Sequence, residues 1–230
     1  RTVVPENFSF RMTDEEYRVL EKIKNSIPVC YLADHADFAL GIVTGNNKKF
    51  LSAEKTENSE MVLKGTDICK YHINPVKQYL RFEPEQFQQV APLEIYRAPE
   101  KLLYRFISNQ LVVAYDDRQM LSLNSCNIVI PKIEGMQIKY ILAILNSSVS
   151  QFVYQKEFHS IKVLRAHMEH IPIPRVGKAI QNEIIAMTEP LICGMGKEAA
   201  ETCQKRLDCR IMDLFRLSAE EQWIIRHALH

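Results

Sequence analysis

Thr44, Asn46, Asn47, Lys48 and Lys49 crowd hydroxyl, amide and ammonium groups into one short stretch. An apolar run from Phe38 breaks at Thr44-Gly-Asn-Asn47 and resumes at Phe50, which predicts a strand, an exposed polar turn and a second strand. Gly45 and Asn46 tolerate positive φ, so the chain can turn tightly there. Such donors can hold a phosphodiester backbone or reach base edges. The same residues also make an ordinary hairpin tip, and the turn alone does not separate the two readings.

Other cations lie further along. In Lys64-Gly-Thr-Asp-Ile-Cys-Lys-Tyr71, Gly65 permits a turn and Asp67 can accept from backbone N–H groups, leaving Lys64, Lys70 and Tyr71 to face outward. Residues 100–107 and 110–115 are β-like runs joined by Ser108-Asn109 as a two-residue hairpin. Strand alternation puts Lys101, Leu103, Arg105 and Ile107 on one side, where two cations could follow a phosphate backbone or simply meet water. His167 and His170, with His159 and Glu169, match no standard zinc spacing, and Pro172 follows directly.

The elements that must position these groups alternate in type. Thr13-Asp-Glu-Glu16 is a capping box for a helix over about 13–25, ended by Pro28. Short strands are expected at 61–63 and 125–131, with loops and weak strands over 72–97. An amphipathic helix is expected over 136–154, with only a mild interruption at Asn146-Ser-Ser148. Ile171-Pro-Ile-Pro174 must be extended, because each proline pushes its predecessor out of the α region. From Ala179 the pattern is helical, with Pro190 and Gly194/Gly196 separating two helices and Ser218-Ala-Glu-Glu221 capping a third. The fold class expected is α+β: an N-terminal connector (1–27), a short-stranded domain with a packed helix (28–176) and a helical tail (177–230).

Composition narrows the function classes. With 230 residues, 47% hydrophobic and 25% charged, the chain can bury a full core. No apolar run approaches the roughly 20 residues of a membrane span, and a cytoplasmic location is expected. The six cysteines form no CxxC pair. Net charge is only +1, but it is uneven. Residues 38–81 hold seven Lys/Arg against four Asp/Glu, and residues 136–178 hold six against two. Two separated basic segments suit a polyanion-binding face. The start at Arg1 suggests a piece of a longer protein.

Four marks then occur in order: Gly41-x-x-Thr-Gly-x-Asn-x-x-Phe50, Lys64-Gly-x-Asp-Ile-x-Lys-Tyr71, Leu142-x-x-Leu-Asn-Ser147 and Ile171-Pro-Ile-Pro174. Together, over about residues 28–225, they resemble the TaqI-like C-terminal specificity domain, the target recognition domain of type IIG restriction-modification N6-adenine DNA methyltransferases. The ending from Leu207 to Glu221 is similar to the helical tail that closes such proteins. The resemblance implies sequence-specific binding of double-stranded DNA by a non-catalytic chain, with S-adenosylmethionine held by a preceding methyltransferase domain. Asn74-Pro75-Val76 is the nearest approach to that enzyme's Asn/Asp-Pro-Pro-aromatic loop, and it lacks the second proline and the aromatic. The framework carried over is Gly41, Thr44, Gly45, Asn46, Asp67 and the Pro172/Pro174 crossing.

On that basis Thr44, Asn46, Lys48, Lys49, Lys70 and Lys162 are expected to position phosphates. Arg97, Lys101, Arg105, Arg118 and Asn124 are expected at or near the bases. The alternative is an interaction module that docks other restriction-modification subunits through its helical tail, as helices do in the related type I specificity subunits.

Overall fold

The computed structural model describes residues 12–158 and 160–229, so the 1–11 portion of the expected connector, His159 and His230 lie outside the described residues. The capping box forms as predicted at the start of α1 (Asp14–Asn25), where the Thr13 hydroxyl accepts from the Glu16 N–H at 3.2 Å and the Glu16 carboxylate from the Thr13 N–H at 3.0 Å. Strands β1 (Val29–Cys30) and β2 (Ala36–Ala39) follow. The predicted hairpin after them is absent. Instead the chain makes a one-turn helix, α2 (Asn47–Phe50), and runs into β3 (Leu51–Ser52).

Next come β4 (Ser59–Leu63), β5 (Tyr79–Arg81), the short helix α3 (Leu93–Tyr96), β6 (Lys101–Arg105), β7 (Val113–Asp116), β8 (Leu121–Ser122) and β9 (Cys126–Pro131). Helices α4 (Ile138–Asn146), α5 (Ser148–Glu157) and α6 (Arg165–Glu169) lead to β10 (Ile173–Pro174). The tail is α7 (Lys178–Cys193), α8 (Lys197–Leu214) and α9 (Ala219–Ala228). The fold is α+β with a helical C-terminal region.

A central antiparallel sheet has the order β2-β9-β6-β7, and a second sheet has the order β3-β5-β4-β8 with β4 and β8 parallel. β1 pairs with β10, so the proline-rich segment is extended as predicted. Both faces of the central sheet are covered. Leu102, Tyr104, Val113, Tyr115 and Val129 pack against the helices. Leu103, Ala114, Cys126 and Ile128, one residue out of step, pack against the second sheet.

This three-layer arrangement corrects several expectations. The helix expected over 136–154 is two helices: Ser147 is extended, at ψ 158°, and its side chain caps α5 by accepting from the Ser150 N–H. The β6–β7 connection spans residues 106–112, longer than the two-residue hairpin expected. Pro190 sits inside α7, and the break between tail helices falls at Gly194, φ +78°. Lys101 does share a face with Leu103 and Arg105, but that face lies under the second sheet, so its ammonium is fully buried.

There Lys101 meets Asp116 at 2.5 Å and donates to the Tyr96 carbonyl at 2.6 Å. Burial pushes its pKa down, and the Asp116 carboxylate opposes the shift. Replacing Lys101 by Met would leave the Asp116 carboxylate buried without its counter-charge. A loss of about 3–5 kcal/mol is expected in urea denaturation.

Candidate nucleic-acid interface

The surface around residues 43–49 is assembled from segments far apart in sequence. Val43 exchanges backbone hydrogen bonds with Gln89 at 2.9 and 3.1 Å, and the Asn124 N–H donates to the Ile42 carbonyl at 3.1 Å. Gly41 makes this possible. A Cβ there would sit 2.1 Å from the Leu123 carbonyl oxygen, so only glycine lets the two backbones approach. Gly45 turns the chain with φ +74°, and Asn46 then caps α2 by accepting from the Lys49 N–H at 3.2 Å.

The expected phosphate-positioning residues divide into two sets. Asn46, Lys48 and Lys49 are exposed, and the Lys49 ammonium donates to the Gln86 amide oxygen at 2.6 Å. Lys162 is also exposed, on the segment that bridges Ile107. Thr44 is only 4% exposed, and its hydroxyl donates to the Asn47 side chain at 2.6 Å, so it shapes the turn and does not face outward. Lys70 does not face outward either. It donates to the Asn146 carbonyl at 3.1 Å near the helical tail, and burial pushes its pKa down against the pull of Asp208.

Tyr71 is buried as well, at 2% exposure, because its backbone joins the free edge of β7 through the Val113 carbonyl and the Tyr115 N–H. Its φ of +77° is what lets the chain enter that position.

Among the expected base-contacting residues, Arg118 and Asn124 are exposed at opposite ends of β8. Arg97 is half-buried and occupied: it pairs with Glu60 at 2.6 Å and donates to the Gln119 carbonyl at 2.8 Å. Arg105 is half-buried and holds the Gly65–Asp67 turn, donating to the carbonyls of Gly65 and Ile68 at 2.8 and 2.6 Å. Lys101 is sealed in the core. The structure therefore brings Asn46, Lys48, Lys49 and Asn124 together and leaves Arg97 and Arg118 elsewhere.

Sequence reasoning missed Gln86, Gln88 and Gln89. All three are exposed beside the turn, with the Gln88 Cβ 3.3 Å from where a Cβ on Gly45 would lie. Their signal was three glutamines within four residues, in a stretch whose weak periodicity hid its position. Amides on Asn and Gln can donate to and accept from one base edge at once, and lysines neutralise phosphates. Of the histidines, His167 is structural: its ring stacks on Phe158 at 4.4 Å, and its Nδ1 accepts from the Leu164 N–H at 3.2 Å. Among the described residues no group of side chains is arranged to hold a metal ion.

Residues 60–173 match the TaqI-like C-terminal specificity domain family. This segment is a TaqI-like specificity domain. The role that goes with it is target recognition in restriction-modification. The match is narrower than the resemblance read from the sequence, and the 41–50 turn lies outside it, joined to the specificity domain through the Val43–Gln89 and Ile42–Asn124 bonds.

Among solved structures, the type IIL restriction-modification enzyme MmeI in complex with DNA aligns with a TM-score of 0.57 at 10% identity, over 83% of this chain and 34% of that one. At that identity the likeness shows the fold alone. The HsdS subunit from Thermoanaerobacter tengcongensis aligns at 14% identity over 94% of this chain and 50% of its own, with a TM-score of 0.45. The chain thus spans about half or less of the structures it resembles. No curated protein matches it in sequence.

Side chains that hold the specificity domain together and those that only face solvent should separate in stability measurements. Arg105→Met is expected to cost about 2 kcal/mol, since it removes charge-assisted bonds to two carbonyls. Lys48→Ala is expected to stay within about 0.5 kcal/mol of the unmodified chain, as for an exposed side chain away from packed features. Thermal or urea denaturation of the two variants checks both.

Proposed function

We propose that this chain is the DNA-reading part of a restriction-modification adenine methyltransferase, with the catalytic domain and its S-adenosylmethionine outside the chain. The observation that carries this reading is the meeting of two polar loops, 44–49 and 86–89, with Asn124 on one exposed surface joined to a specificity domain. Lys48 and Lys49 supply affinity by neutralising phosphates, with Lys162 as a further cation on the Ile107 bridge. Gln88, Gln89 and Asn124 supply discrimination, because an Asn or Gln side chain bonds both N6 and N7 of an adenine in the major groove, while Gln86 is held between Lys49 and Glu83. The Val43–Gln89 and Ile42–Asn124 backbone bonds tie both loops to the specificity domain, which lowers the backbone ordering cost of binding.

The two roles have different signatures. Replacing Lys48 and Lys49 by Ala is expected to weaken binding to all duplexes alike and to flatten the salt dependence by about two units of slope. Replacing Gln88 by Ala is expected to relax the preferred sequence while leaving the slope unchanged, as read from binding to a randomised duplex pool at two salt concentrations.

The decisive experiment joins the chain to the protein encoded upstream and maps methylated adenines. Methylation at one motif, changed when residues 86–89 are exchanged, is the expected result. Upstream sequence without methyltransferase activity, together with duplex binding that ignores salt, would overturn the reading.

A further inference from the structure

The outer face of the tail is built like half of an interface. α7 and α8 pack inward through Ile184, Leu191, Leu207 and Ile211. On their outer side a groove of about 620 Å³ runs between them, walled by Met187, Pro190, Met195, Ala199, Thr202 and Arg206. Pro190, Ala199 and Thr202 are exposed, and Met195 is 39% exposed.

On α8 the outward residues Ala199, Thr202, Arg206 and Cys209 recur at alternating spacings of three and four, the period of a helix that packs along a second helix. Small side chains at 199 and 202 let another backbone come close. The charges on this face are ordered too. Glu198 stands on the N-terminal side of Thr202, and Lys205 and Arg206 stand on the C-terminal side. Among the described residues none of these three has an ion-pair partner, whereas Arg210, one turn on, is paired with Glu183.

We propose that this face binds a second copy of the chain, with the α8 helices antiparallel about a two-fold axis at Thr202. That symmetry sets Glu198 of each copy beside Lys205 and Arg206 of the other, so one charge pattern serves both sides. It also opposes the helix dipoles head to tail and buries the groove in a four-helix contact. The inference does not depend on the DNA reading, because the face lies on the tail helices and the test needs no DNA.

Sedimentation velocity of the 230-residue chain across a concentration series is expected to show a monomer–dimer equilibrium. Glu198→Lys should weaken the dimer about tenfold or more, since an attractive contact on each side becomes a like-charge one. Adding Lys205→Glu and Arg206→Glu to that variant should restore it. In a Cys193→Ser, Cys209→Ser background, Thr202→Cys should form a disulfide-linked dimer on air oxidation, because residues on the axis meet their own copies. A monomer at every concentration would overturn the proposal. So would a dimer that is indifferent to Glu198→Lys and leaves Thr202→Cys unlinked.

Discussion

The structure depends on burial of both faces of the central sheet. Strands β6 and β9 send alternate side chains into two different cores, one shared with the helices and one with the second sheet. A strand in that position cannot keep a polar face. Lys101 is a charged exception, and it is tolerated because its register partner across the ladder is Asp116. The Asp116 carboxylate also accepts from the Arg118 and Met120 N–H groups, at 2.9 Å each, so the pair is tied into the turn that follows β7.

The same constraint leaves β7 as an edge strand that must be closed by something other than another strand. Three side-chain or backbone contacts close it. The Asn146 side chain accepts from the Val113 N–H at 3.1 Å and donates to its carbonyl at 2.8 Å. Gln151 does the same for Leu111, at 3.0 and 2.9 Å, and Tyr71 adds its backbone to the edge. Buried amides satisfied in this way remove an edge that would otherwise pair with another chain. Asp208 extends the seam into the tail by accepting from the Ser148 N–H and hydroxyl, which accounts for the helix break at Ser147.

With the core closed on both faces, what remains for recognition is the set of loops at its rim. The second sheet carries them. Gly41 lets the chain pass against Leu123, and this contact places the 44–49 turn beside Asn124. The Val43–Gln89 bridge then brings in the glutamines. Three of the cations expected at the DNA are instead spent on structure: Arg105 on two carbonyls, Arg97 on Glu60, Lys70 at the tail seam.

The sequence by itself determined what depends on local chemistry. The α1 capping box, the extended Ile171–Pro174 segment, the tail helices and the tight turn at Gly45 follow from residues within a few positions of one another, and the order of the motifs pointed to the specificity-domain family. Only the tertiary structure decided which cations face outward. Strand alternation placed Lys101 and Arg105 on one face correctly, but whether that face meets water or a second sheet depends on pairings between β4, β5 and β8, which no local pattern encodes. Tyr71 and Lys70 lie inward for the same reason, since the edge of β7 that Tyr71 closes is more than forty residues away. The glutamines of 86–89 became part of a candidate site only through a two-residue bridge to Val43, a contact that periodicity cannot reveal.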